Sequence, residues 1–124
     1  MRIVVLTDAA CGASTVVDAN GTTWPAVWSG ESPAKAGAEY DVELELNCPR
    51  ITANPTSVDD GVGSTASGIR VCGSVSAIFD DGVLALDIGS ATLLLDNDDV
   101  PGVYKVGDAL CLEADSISIF PTGL

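Results

Sequence analysis

Tyr40-Asp41-Val42-Glu43-Leu44-Glu45-Leu46-Asn47 alternates apolar and polar residues without a break. Tyr40, Val42, Leu44 and Leu46 share one parity, and Asp41, Glu43, Glu45 and Asn47 take the other. A period of two is the signature of a strand with one face in a core and one in water. Residues 71–79 repeat the pattern with Val71, Val75, Ala77 and Phe79 on one face. Asp80-Asp81-Gly82 then reads as a tight turn, because Asp and Gly tolerate positive φ. A further strand directs Leu84, Leu86 and Ile88 inward and stops at Gly89-Ser90; the next directs Ala91, Leu93 and Leu95 inward before the polar loop of residues 96–102. No segment sustains a 3.6-residue apolar period, so the expected class is all-β.

The last strand carries a second kind of information. Leu110, Leu112 and Ala114 share one parity, after which the apolar positions switch to Ile117 and Ile119 while Ser116 and Ser118 take the old phase. A one-residue slip turns every side chain over, so a parity switch predicts a bulge or corner at Asp115-Ser116. Towards the N-terminus, residues 2–6 form a short apolar strand, and residues 14–17 and 22–27 flank Asn20-Gly21, a strong hairpin signal. Pro25 argues against a central strand there. Residues 31–38 read as a turn or a single helical turn. Residues 51–68, rich in Gly, Ser, Thr, Asn and Pro, read as a long loop with at most a short edge strand at 51–53.

Together these signals predict one β-rich domain over residues 1–124, with seven or eight short strands forming a small barrel, a partly open barrel or a sandwich. The stretch from Gly73 to Gly89, followed by Val106-Gly107-Asp108, resembles the strand–turn–strand rhythm of OB-fold barrels. The resemblance covers about a third of the chain, lies in its C-terminal half, and implies a fold rather than an activity.

The chain of 124 residues holds 5 basic and 18 acidic side chains, a formal net charge of −13, with no histidine and 47% hydrophobic residues. That apolar content excludes a disordered acidic tail. The negative field argues against nucleic-acid binding, which draws on clustered Lys and Arg. Residues 39–124 hold fifteen of the acids against Arg50, Arg70 and Lys105, so the field is expected to concentrate there. The apolar run after Arg2 ends at Thr7-Asp8, short of the roughly 7–15 residues of a signal-peptide core. No apolar stretch approaches the roughly 20 residues of a membrane helix. The expected location is therefore cytoplasmic, and Cys11, Cys48, Cys72 and Cys111, which form no Cys-x-x-Cys pair, are expected to be reduced and free of zinc.

Catalytic and cofactor motifs fail on inspection. Ser32-Pro33-Ala34-Lys35 matches Ser-x-x-Lys but lacks its companion elements. Gly61, Gly63 and Gly68 precede no helix, and Asp59-Asp60 would repel phosphate. Asp96-Asn97-Asp98-Asp99 opens like a calcium loop, but Pro101 and Gly107 stand where that loop needs Gly and Glu. No metal or cofactor is expected.

The expected function is therefore non-catalytic. An acidic, immunity-like inhibitor would dock a basic protein such as a toxin or nuclease through Asp41, Glu43 and Glu45, with Asp80 and Asp81 at the turn, occupying the positions where a nuclease expects phosphates. Trp24 and Trp28, on one face of an extended segment, read either as a plug for one barrel end or as exposed anchors in the same interface. An OB-type module for nucleic acid or a small ligand is the alternative, and a metal- or carboxylate-dependent enzyme the third.

Overall fold

The computed structural model describes residues 1–19, 21–51, 61–65, 68–89, 91–96, 98–100 and 102–122. Among them there are strands and no helix: β1 (Arg2–Val5), β2 (Ser14–Ala19), β3 (Thr22–Trp28), β4 (Glu39–Asn47), β5 (Arg50–Ile51), β6 (Gly61–Thr65), β7 (Gly68–Ile78), β8 (Leu84–Asp87), β9 (Thr92–Leu95), β10 (Ala109–Ala114) and β11 (Ser116–Pro121). Two compact units emerge, one of Met1–Asn47 with Ser116–Leu124 and one of Cys48–Asp115. Among the described residues no helix is long and apolar enough to cross a membrane.

The first unit is a closed barrel in the order β1-β2-β3-β11-β4, with β1 returning to β4. All its pairings are antiparallel except β3 with β11. The hairpin expected at Asn20-Gly21 joins β2 to β3: Gly21 takes φ 84° and its amide donates to the Asp18 carboxylate at 2.9 Å. Residues 31–38 form a turn rather than a helix, with Gly37 at φ 84° and the Ala38 amide donating to the Lys35 carbonyl. Parity sorts the side chains as the alternation requires. Ile3, Val5, Val17, Trp24, Ala26, Trp28, Val42, Ile117 and Ile119 fill the interior.

Pro25 does not exclude β3 from a central position, and the register explains why. Trp28 and Ala13 face each other through a hydrogen bond, so Val16 and Pro25 form a non-hydrogen-bonded pair. The Pro25 nitrogen therefore points away from β2, and pairing with β11 begins only at Val27. The missing donor has nothing to satisfy.

The second unit is a sheet ordered β5-β10-β7-β8-β9, with β6 also paired to β7. Its core is aliphatic: Ile69, Val71, Val75, Leu84, Leu86, Ile88, Leu93, Leu95, Leu110 and Leu112 are all buried. The stretch from Gly73 to Gly89 that resembles an OB barrel belongs to this sheet, and the closed barrel is built from other strands.

Three expectations are corrected here. Residues 61–65 are not loop but strand β6, in register with β7 from Gly61↔Cys72 to Thr65↔Gly68. Glycine and small polar residues hide a strand whose main chain is held by a long neighbour. The rest of the expected loop, residues 52–60 and 66–67, lies outside the described residues, as do Asn20, Ser90, Asn97 and Pro101. Phe79 is not inward-facing. The register of β7 on β8 shifts between Val75 and Ala77, placing Ser76 in a bulge where its hydroxyl donates to the Ala85 carbonyl at 3.2 Å. The bulge reverses parity, and Phe79 emerges 49% exposed. Finally, the cysteines are not all reduced: Cys72 and Cys111 are directly opposite on β7 and β10 and form a disulfide, leaving Cys11 and Cys48 free and exposed.

The corner expected at Asp115 is present and has a larger meaning. β10 lies in the six-stranded sheet and β11 in the barrel, with Leu110, Leu112, Ile117 and Ile119 all buried. The parity switch marks the passage of the chain from one unit to the other.

Candidate functional site

The outer face of β4 carries the acids. Alternation places Glu39, Asp41, Glu43 and Glu45 on that face, all exposed. Successive members sit roughly 7 Å apart by the two-residue strand repeat. Because β4 lies between β1 and β11 in a closed barrel, this row is the middle of a continuous surface rather than a guarded edge. Cross-strand register gives each acid a neighbour on the same face. Asp41 stands opposite Arg2 and forms an ion pair at 3.2 Å; Glu43 stands opposite Phe120; Glu45 stands opposite Ser118. The Arg2–Asp41 pair is more than half exposed on the arginine side, so it is held weakly and leaves the face net negative. At its far end Asn47 donates to the hydroxyls of both Ser116 and Ser118, at 2.8 and 2.9 Å.

Beside this face opens a cleft of about 760 Å³. Tyr40, Phe120, Pro33 and Pro121 give it apolar walls, and Glu31, Glu39, Asp41 and Arg2 line it with charge. Trp28 supports the cleft from within the barrel. Its ring lies 4.7 Å from that of Tyr40 at 58°, and its indole N–H donates to the Ser32 carbonyl at 2.8 Å, fixing the turn that forms one wall. The close approach of that turn requires Gly30, where an added Cβ would fall 2.7 Å from the Trp28 indole.

The candidate residues separate clearly. Asp41, Glu43 and Glu45 share one exposed face. Trp24 and Trp28 are each 2% exposed and belong to the barrel core, so the exposed-anchor reading of this pair is corrected. A large indole gains most by leaving water, and the even parity shared by Trp24 and Trp28 turns both inward. Asp80 and Asp81 are exposed in the β7–β8 turn of the other unit, where the Asp81 carboxylate accepts from the Val83 amide at 3.2 Å. No family model, curated protein or solved structure matches this chain. Glu39 and Phe120 extend the site beyond the residues singled out from sequence. Glu39 continues the alternation by one step, but the neighbourhood of Glu43 and Phe120 depends on a pairing 77 positions apart that composition does not encode.

Charge is also divided differently from the expected concentration after residue 38. The barrel unit holds seven acids against Arg2 and Lys35, and the second unit eleven against Arg50, Arg70 and Lys105. Both units are acidic. Among the described residues no three metal-ligating side chains gather.

Proposed function

We propose that the barrel docks a basic protein through the outer face of β4 and the adjoining cleft, as a non-catalytic, immunity-like inhibitor of a toxin or nuclease. The observation that carries the reading is the row Glu39, Asp41, Glu43 and Glu45 beside the cleft, where among the described residues Arg2 is the one basic side chain on the strands paired with β4. Carboxylates steer a cationic partner and set its orientation, while Tyr40 and Phe120 supply the apolar contact that slows dissociation. The Cys72–Cys111 bond supports an oxidising compartment for this encounter, in place of the cytoplasm expected from the short N-terminal run.

The test uses poly-L-lysine of defined length and a labelled oligonucleotide as opposed probes at low salt. The lysine polymer is expected to bind, and the variant Asp41→Ser/Glu43→Ser/Glu45→Ser to associate about tenfold more slowly, with a smaller change in dissociation. Equal association by variant and wild type would remove the β4 face from the proposal. The closed five-stranded barrel favours one second reading, an OB-type ligand module. Micromolar oligonucleotide binding would promote that reading instead.

A further inference from the structure

β9 ends the six-stranded sheet, and among the described residues no strand pairs with its outer side. The register settles which main-chain groups that side presents. The Ile88 amide donates to the Ala91 carbonyl at 3.0 Å, closing the β8–β9 hairpin with a hydrogen-bonded pair. Hydrogen-bonded pairs alternate along an antiparallel ladder, so Leu86↔Leu93 and Leu84↔Leu95 follow it. Thr92 and Leu94 therefore direct their N–H and C=O groups away from β8. The side chains obey the same register. Leu93 and Leu95 are buried, whereas Leu94 is 68% exposed on the face it shares with Ala85.

That face is apolar beyond Leu94. Phe79, Val83 and Leu94 line a shallow dent of about 540 Å³, with Asp80 and Asp81 beside it. Thr92–Leu95 contains no lysine, no proline and no bulge, none of the devices that normally blunt an edge. The opposite end of the sheet differs: among the described residues β5 is Arg50–Ile51 and carries a basic side chain, Arg50. The charge around the β9 edge selects the occupant. Residues 73–104 include Asp80, Asp81, Asp87, Asp96, Asp98 and Asp99 and not one basic residue. A second copy laid along β9 would face these acids with its own.

We infer that β9 accepts an extended segment of a basic protein as an additional strand. The segment's main chain pairs with Thr92 and Leu94, an aliphatic side chain lies against Leu94 and Phe79, and flanking lysines or arginines meet Asp80, Asp81 and Asp96. This surface belongs to the second unit and does not depend on the β4 face of the barrel.

The probe is the blocked peptide acetyl-KTVTVTK-amide, with acetyl-ETVTVTE-amide as its acidic twin, titrated into the intact protein and followed by amide shifts and hydrogen exchange. The lysine peptide is expected to shift the Thr92 and Leu94 amides saturably and slow their exchange, and the glutamate twin to bind about tenfold more weakly. Leu94→Pro removes the outward donor without touching the β8 ladder, and Leu94→Lys keeps the backbone while adding like charge to the probe. Both are expected to abolish the shifts. Leu94→Lys, with near-ultraviolet circular dichroism unchanged, decides the matter if the proline variant fails to fold. Exchange at Thr92 and Leu94 unaffected by the lysine peptide overturns the proposal, as does equal binding of the two peptides. Protection of the same amides with rising protein concentration alone, accompanied by dimer in sedimentation, overturns it in favour of a second copy. The barrel variant Asp41→Ser/Glu43→Ser/Glu45→Ser is expected to bind the peptide like wild type, which separates this surface from the barrel face.

Discussion

The barrel unit and the inserted sheet unit solve the same problem by different means. The barrel closes on itself, so every strand has two neighbours and its two tryptophans fill the centre. The second unit has ends, a core that among the described residues is aliphatic, and a disulfide across its most extensively paired strands, β7 and β10. Closure removes exposed edges and lets bulky side chains pack from all sides. A sheet with ends lacks that advantage, and a covalent bond restricts its unfolded chain instead.

The largest effect should come from removing the staple. Cys72→Ala/Cys111→Ala opens a link between positions separated by 39 in sequence, a loss of about 4 kcal/mol on the loop-entropy model. Chemical denaturation with and without reductant measures it; a midpoint indifferent to reductant would mean the two units do not differ in this way. Next, Ile119→Ala empties a fully buried position in the barrel and should cost about 3 kcal/mol. Hydrogen exchange should locate that loss in β3, β4 and β11, because these strands surround the site. Smaller still is Gly73→Ala. Its added Cβ would meet the Asp87 carbonyl where β7 passes from β6 to β8, costing about 2 kcal/mol by overpacking, with protection lost in β7 and β8. The least effect on stability belongs to Asp41→Ser/Glu43→Ser/Glu45→Ser. It removes mutual repulsion together with one exposed ion pair, and should move stability by less than about 1 kcal/mol. A large loss there would make the acid row structural rather than a docking surface.

The same contrast explains what could be read in advance. Period-two patterning identifies β4 and β9 and their inward residues because each has one wet and one dry face, and it finds Leu84 and Leu86 of β8 although Ala85 between them is buried too. The switch between Ala114 and Ile117 identified the corner for the same reason. Strand β6 escaped because Gly61-Val62-Gly63 offers no alternation, and its order comes from pairing with β7. Phe79 was misplaced by a bulge that Ser76 does not announce. Cys72 and Cys111 fall on the parity opposite to Val71 and to Leu110 and Leu112, so alternation does not mark them as buried, and only the register of β7 on β10 sets them opposite each other. The carboxylates of the β4 face were legible one strand at a time, whereas the cleft beside them needs Tyr40, Pro33 and Phe120 brought together from three segments.

The position of β11 in the ring governs the order in which the molecule can be made. Residues 48–115 leave the barrel at Asn47 and re-enter at Ser116, which are direct partners on β4 and β11. Arg50 clasps the two ends of that insertion, donating to the Cys48 carbonyl and the Asp115 carboxylate. A ribosome therefore delivers β1 to β4 before the insertion, yet the ring lacks its closing member until β11 emerges. The inserted sheet is complete in sequence at Asp115, just ahead of β11, so it is the first unit able to reach its native state. By bringing its own ends together it shortens the search that β11 makes for β3 and β4. The strand that completes the ring is the last of its five members to be made.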